Sequence, residues 1–251
     1  MPRTWRLVDS GFVPPPESAA LDEAIMEAHV SGQVPNTLHF YIRSEPTISV
    51  GYFQKIGESV NLQECERRGV SIVRRKSGGS SIYTDRGQLI YGLVLHDSDL
   101  PEGRADTFRI ICQSIADALR SLGVDAVYRP MNDIEVGGRK ISGNAQFRRK
   151  GSVLQHGTVI VDTDVSQMDA VLKVGNARRN DFPRPSDRVT TLASLLGEVP
   201  DMKAAKNSLV SAFEKTFDVK FRLFTITTFE TSTVEKLVDE RYSRREWNLK
   251  F

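Results

Sequence analysis

Residues 74–85 read Arg74-Arg75-Lys76-Ser77-Gly78-Gly79-Ser80-Ser81-Ile82-Tyr83-Thr84-Asp85. Three cations run into a paired-glycine turn, and the chain leaves the turn as a β-like segment. Ser71-Ile72-Val73 is a strand entering it. After Asp85-Arg86-Gly87 the chain returns through Leu89 to Leu95, apolar enough for a central strand. No helix follows the glycines, and neither the GxxxxGK[ST] nor the GxGxxG spacing is present, so this is neither a P-loop nor a dinucleotide fingerprint. Glycine accepts positive φ and lets backbone N–H groups approach a bound oxygen. Successive amides in such a turn form an anion nest, to which Arg75 and its neighbours add charge-assisted bonds. The local pattern serves a solvated basic turn equally well.

Upstream, Trp5 to Asp9 reads as a strand ended by Pro14-Pro15-Pro16. Ser18 is placed to cap a helix with Leu21, Ala24, Ile25 and Ala28 at helical spacing. Leu38 to Ile42 and Thr47 to Phe53, split by Glu45-Pro46, read as two paired strands. Asn61 starts a short helix that Gly69 stops. Downstream, Thr107 to Leu122 is the clearest helix, with Phe108, Ile111, Ile115, Ala118, Leu119 and Leu122 in one stripe and Gly123 at its end. A β region follows from Ala126 to Val161, divided by Gly137-Gly138 and Lys150-Gly151. Val165 to Val174, Thr191 to Leu196, Ala204 to Phe217 and Thr233 to Tyr242 read as helices, and Phe221 to Phe224 as a strand. Gly175 to Val189 has no periodicity and reads as a long loop. Hairpin strands with helices inserted among them argue α+β, with mixed but mainly antiparallel sheets flanked by helices.

The 251 residues are 39% hydrophobic and 26% charged, ordinary for a globular chain, and no composition break divides 1–251 into two domains. A net charge of +2 gives no general case for nucleic-acid binding. Arg74-Arg75-Lys76 and Arg148-Arg149-Lys150 would make a basic patch, but interleaved stacking aromatics are sparse. Two cysteines, Cys65 and Cys112, have no paired spacing, which argues against a disulfide framework or a zinc site. The N-terminal residues carry no signal pattern, and no apolar run approaches the ~18 residues of a membrane span. A cytoplasmic protein without membrane or nucleic-acid partners is expected.

Gly137-Gly138 suits a two-residue hairpin turn. Val136 then faces Arg139, Glu135 faces Lys140, Ile134 faces Ile141 and Asp133 faces Ser142. Alternation puts Ile134, Val136 and Ile141 on one face and Asp133, Glu135, Lys140 and Ser142 on the other. Taken alone, the hairpin reads best as a surface Glu135–Lys140 pair of little energetic consequence. Ser142-Gly143-Asn144 follows at once and adds small polar groups, which favours a site. His29, His39 and His156 each sit singly, and a single histidine in such a context is usually structural.

Taken together, residues 74–85, Asn132-Asp133-Ile134-Glu135-Val136-Gly137-Gly138-Arg139-Lys140-Ile141-Ser142-Gly143-Asn144-Ala145-Gln146 and His156-Gly157-Thr158 resemble lipoate–protein ligase A of the lipoate/biotin ligase superfamily. Ile48 to Gln54, Arg188 to Leu192, and Lys236 to Asn248 extend the resemblance over nearly the whole chain. It implies a biotin/lipoate ligase catalytic-domain-like fold. It also implies a two-step reaction: lipoate and Mg·ATP give lipoyl-AMP, and a lysine of a lipoyl domain then takes the acyl group. By the motifs, Arg75, Ser77, Gly78, Gly79 and Ser80 would line the acyl and phosphate end, and Tyr83 would flank the nucleotide. Asn132 and Asp133 would bind nucleotide and Mg²⁺, with Asp133 the metal ligand. Ser142, Gly143, Ala145, His156 and Gly157 would complete the binding surface. Lys140 would be the catalytic lysine, set between α-phosphate and acyl carbonyl. Acceptors would be lipoyl domains of acyl-transfer complexes or the glycine-cleavage H protein.

Ser80-Ser81 stand where many family members have a third glycine and a small apolar residue. Longer ligases continue past the equivalent of Trp247-Asn248 into a small accessory domain, so a separate accessory-domain protein is expected as partner. Residues 175–188, with Lys173, Arg178 and Arg179, are expected to close over the adenylate. The nearest rival is an octanoyl or lipoyl transferase of the same superfamily, which passes the acyl group through a cysteine thiolate without ATP. Cys65 and Cys112 fall on helix faces read as buried, and buried thiols are usually inert. A biotin ligase lacks support because its adenylate loop is not matched. A non-catalytic acyl-binding protein is the remaining alternative.

Overall fold

The computed structural model describes residues 2–173 and 183–251. In chain order the elements are β1 (Arg3–Val13), α1 (Pro15–Val30), β2 (Thr37–Arg43), β3 (Thr47–Val50), α2 (Ile56–Ser59), α3 (Leu62–Arg68), β4 (Ser71–Arg74), β5 (Ile82–Thr84), β6 (Gln88–His96) and α4 (Arg104–Ser121). There follow β7 (Val127–Arg129), β8 (Asp133–Val136), β9 (Arg139–Arg149), β10 (Ser152–Ile160), α5 (Val165–Val171), α6 (Leu192–Leu196), α7 (Met202–Phe217), β11 (Val219–Phe224), α8 (Thr228–Leu237) and α9 (Arg245–Asn248). The described strands form an eight-stranded sheet, β11-β1-β2-β6-β10-β9-β8-β7, and a three-stranded sheet, β4-β3-β5. Pairing is antiparallel except for β1–β2, β1–β11 and β3–β4. The α+β expectation holds. No described helix is long and apolar enough to cross a membrane.

The large sheet sorts its residues by the two-residue period of a strand. Leu89, Tyr91, Leu93 and Leu95 of β6 face α4 and α7, where they pack with Ile111, Ile115, Leu209 and Phe213 in the main core. The alternate residues face α1, where Val94 and Leu154 meet Ile25 and Met26. On its other sides α1 packs Ala19 and Ala20 against Val73, Leu237 and Tyr242. A helix surrounded in this way buries even its acids: Asp22 and Glu23 are both buried.

Three expectations need correction. Pro15 and Pro16 do not end a strand before a Ser18 cap. They open α1, since proline's fixed φ suits the first helical turn and its missing N–H is no loss there. Ser18 lies inside the helix, fully buried, and donates to Pro15 O while accepting from Arg43 Nη1 at 2.6 Å. Second, the runs around Leu38 and Thr47 are not paired with each other. β2 lies between β1 and β6, and β3 between β4 and β5. Every residue of both strands is buried, so each needs a partner on both sides, and the Ser44–Pro46 link carries the chain from one sheet to the other. Third, the hairpin register holds only at Val136↔Arg139 and Glu135↔Lys140. A bulge then sets Ile134 opposite Ser142 and Asp133 opposite Gly143.

Candidate active site

The glycine turn closes one wall of a cavity of about 690 Å³, and β9 and β10 supply another. The turn is organised from beneath. Arg75, buried at 9% exposure, spends its guanidinium on the turn itself: Nε donates to Ser77 Oγ, Nη1 to Ser49 O, and Nη2 to the carbonyls of Gly78 and Ser80 at 2.8 Å each. Burial, with Arg43 close by, pulls this guanidinium down to about 10. Gly79 takes φ +95°, and a Cβ at Gly51 would fall 1.9 Å from Gly79 O, so the turn packs directly on the neighbouring backbone. Arg74 is fully buried and donates to the carbonyls of Gly51, Tyr52, Gln54, Trp247 and Lys250. The cations expected to reach a ligand are therefore staples inside the wall. Arg75 still lines the cavity but spends its donors on the turn, and Lys76 stands at the cavity beside Tyr52 and Trp247. The basic-patch reading loses its basis in the same way, because Arg148 bonds Thr107 and Arg149 pairs with Glu27.

The bulge in β8–β9 decides where Lys140 goes. It brings Gly143 opposite Asp133, and the Lys140 side chain lies across that glycine: a Cβ there would sit 2.3 Å from both Cε and Nζ. Lys140 Nζ bonds Asp133 Oδ1 at 2.6 Å, and Arg188 Nη2 bonds Asp133 Oδ2 at 2.7 Å. The chain at 188–190 is held alongside by a Lys140↔Val189 bridge and by Thr190 N donating to Lys140 O. Lys140 is thus paired across the bulge with Asp133, and Glu135 pairs instead with Arg129 at 3.8 Å. Asn132 donates Nδ2 to Asn144 O at 2.6 Å, and Asn144 returns Nδ2 to Asn132 O, which ties the entry of β8 to β9.

His156, on β10, stands opposite Ala145 and Gly92 in the strand register. Its Nε2 meets Ser77 Oγ at 2.6 Å, and its Nδ1 meets Asp22 Oδ2 at 2.6 Å. Burial pushes the Asp22 carboxyl up, but hydrogen bonds and charge from His156 and then His39 outweigh it and hold the acid well below the usual carboxylate range. Gly92 makes room, since a Cβ there would lie 2.9 Å from Asp22 Oδ1. By contrast His29 bonds Ser152 and Asn36 in the interior and is structural, as expected.

Nearly all the residues expected at a site line this one cavity: Arg75, Ser77, Gly79, Ser80, Tyr83, Asn132, Asp133, Lys140, Gly143, Ala145, His156 and Gly157. Gly78 and Ser142 do not. Ser142 is fully buried because the bulge turns it, with Ile141, away from the cavity and opposite Ile134. Sequence reasoning missed Asp22, Arg188 and the engagement of His39 with Asp22. The available signal for Asp22 was a pair of acids, Asp22-Glu23, interrupting an apolar helix stripe. Much of the 175–188 loop, including Arg178 and Arg179, lies outside the described residues. Lys173 bonds Gly57 O at 2.8 Å.

Asp133 was expected to hold magnesium. Both its oxygens are taken by cations, and among the described residues no group of three or more His, Cys, Asp or Glu could hold a metal ion. Among the described residues Asp133 is thus the one carboxylate here beside Lys140 and Arg188, and a magnesium held at it would need further oxygens from a bound phosphate. Cys65 and Cys112 are buried at 1% and 0% exposure, and burial pushes their thiols up to about 11 and about 12.

A family model described as the lipoyl protein ligase A/B catalytic domain matches residues 14–214. The chain is 33% identical to octanoyltransferase LipM of Geobacillus kaustophilus, with 98% of each chain covered. It is 28% identical to octanoyltransferase LipM of Bacillus subtilis, with 98% of each covered. Among solved structures it superposes with a TM-score of 0.87 on the bi-partite lipoate protein ligase of Thermoplasma acidophilum, at 31% identity, covering 98% of this chain and 96% of the other. A lipoate-protein ligase A bound with ATP gives the same score and identity, with 98% of each chain covered.

Proposed function

Because the chain belongs to the lipoyl protein ligase A/B catalytic-domain family, we propose that it acylates the ε-amine of a lysine on a lipoyl domain, activating lipoate or octanoate as an acyl adenylate. The observation that carries this reading is the Lys140–Asp133–Arg188 cluster at a cavity that also offers Met26, Ile90, Phe147 and Leu154 for an acyl chain. A carboxylate and ATP repel each other. Lys140 and Arg188, lent to Asp133 in the structure, are placed to turn to phosphate and acyl oxygens and stabilise the charge that develops there. Magnesium would enter with the nucleotide as part of the substrate. Positioning two anions in one cavity supplies further rate.

The second reading is octanoyl transfer from a thioester donor, favoured by the names of the full-length curated relatives. These relatives back the transferase better than the ligase, although solved ligases also align over nearly the whole chain at 31% identity. The thiols weigh against the transferase, because covalent relay needs a reachable, activated nucleophile and both cysteines are sealed in the core. The two readings separate in one assay. Purified chain and a lipoyl domain are given either lipoate or octanoate with Mg·ATP, or octanoyl-acyl carrier protein without ATP, and the acceptor's mass is followed. Acylation from free acid, with acid-dependent ATP–pyrophosphate exchange, is expected, and replacing both cysteines by alanine is expected to change it less than twofold. Acylation from the carrier alone, without exchange, would replace the ligase reading by the transferase.

Gly143→Ala tests the seat of Lys140. The added methyl would fall 2.3 Å from Lys140 Cε and Nζ, so the flexible end of that side chain must move off the glycine. Acylation is expected to fall at least about tenfold, an electrostatic donor being displaced, with thermal unfolding little changed. Wild-type activity in this variant would show that Lys140 need not lie over Gly143.

A further inference from the structure

We propose that Ser77, His156 and Asp22 form a proton relay that removes the proton from the acceptor lysine as its amine attacks the acyl carbonyl. The inference rests on the reading that a lysine is acylated, but it is independent of the acyl donor.

The hydrogen-bond directions follow from the donor inventory. Asp22 Oδ2, a carboxylate oxygen, can only accept, so the ring proton of a neutral His156 sits on Nδ1 and is directed at it. His156 Nε2 then accepts from Ser77 Oγ, which itself accepts from Arg75 Nε at 3.1 Å. The other Asp22 oxygen has no hydrogen-bond partner, and it faces His39 Nδ1, also unpartnered, at 3.9 Å. Asp22 thus sets a buried negative charge behind the His156 ring, where it would steady an imidazolium.

The relay also lies in the right part of the cavity. Lys140 lies across Gly143, and His156 stands opposite Ala145, two residues further along the same face of β9. Strand rise separates those positions by about 7 Å. An acyl carbonyl seated between them would have Lys140 on one side and the Ser77–His156 pair on the other. As the amine attacks, the N–C bond forms and the carbonyl's bond to its leaving group breaks. The leaving group, AMP from an adenylate, departs with the electron pair. One proton passes from nitrogen to Ser77 Oγ while the serine hydrogen passes to His156 Nε2. Earlier loss of the ammonium proton to solvent supplies the neutral amine. The charged or titratable groups that face this chain are Asp22, with His39 and Tyr41 across it, Arg43 and Arg75 behind, and Lys140 across the cavity.

The test is single-turnover transfer from preformed octanoyl-AMP, or from octanoyl-acyl carrier protein if only that donor works, to a purified lipoyl domain between pH 5 and 8. The wild-type rate is expected to rise with pH across this range, because the neutral form of the acceptor lysine becomes more abundant, so each variant is compared with wild type at the same pH. His156→Gln is expected to lower the rate about 100-fold, the scale of general-base catalysis. Ser77→Ala and Asp22→Asn are expected to lose about tenfold. Imidazole is expected to restore part of the rate to His156→Ala. This rescue is a readout that a structural role would not give, and Ser77→Ala carries the test should the histidine variants fail to fold. Variants of His156 and Asp22 that keep the wild-type rate within threefold at every pH, with no imidazole rescue, would overturn the relay alone. A wild-type chain that acylates no lysine from either donor would overturn the relay and the acylation reading together.

Discussion

Lys140→Ala is expected to lower acylation of a lipoyl domain by at least about 100-fold, the scale on which one preorganised electrostatic donor acts, while the chain stays folded. The side chain is only 17% exposed, so its amine is held at the cavity wall instead of sampling solvent. Folding should survive its loss because Asp133 is not orphaned: Arg188 still bonds Oδ2 at 2.7 Å. Lys140→Arg is not expected to rescue activity. The space over Gly143 is filled by a single Cε–Nζ segment, and a planar guanidinium does not fit there as a point charge does. Acceptor mass spectrometry measures the first effect, and circular dichroism with thermal unfolding checks the second. Activity near wild type in Lys140→Ala would remove this lysine from the reaction.

The legibility of the site differs from residue to residue for physical reasons. The Glu135–Lys140 register was readable because a Gly-Gly hairpin sets it locally, whereas Lys140, Asp133 and Gly143 came to the site through the family resemblance. Ser142 was misplaced because a bulge adds one residue to one strand and moves everything beyond it to the other face. Asp22 could not be found from local pattern, since its partner His156 is more than a hundred residues away and the two meet only after α1 docks on β10. The helix–sheet framework was largely visible, as in the stripe of α4 that became part of the main core. Strand partners were not: Thr47–Val50 has the composition of a neighbour to β2 and yet belongs to the other sheet. Periodicity reports which face of a strand is buried, and it does not report which strand lies beside it.

Arg74→Met should separate a staple from a ligand-binding cation. If Arg74 served a bound anion, the substitution would weaken substrate binding and leave unfolding unchanged. The structure predicts the reverse order of effects. Arg74 is fully buried, and its guanidinium gathers carbonyls from the loop after β3 and from residues 247–250. Its backbone joins the same junction, with Arg74 N donating to Asn248 Oδ1 and Trp247 Nε1 donating to Arg74 O at 2.8 Å. Methionine fills similar volume but donates nothing, leaving several buried carbonyls without partners. Breaking such a buried charged cluster costs about 3–5 kcal/mol, which for a chain of this size lowers Tm by about 6–20 °C. Arg74→Lys is expected to fall between, because one ammonium cannot reach carbonyls on opposite sides of a guanidinium. Activity should be lost too, but as a consequence. Gly51 O is held by Arg74, and the Gly51 backbone packs on Gly79 O. Loosening it therefore frees the glycine turn that carries Ser77. An Arg74→Met chain with wild-type Tm and a raised KM for the nucleotide or acyl substrate would return this arginine to the role its position beside the glycine turn first suggested.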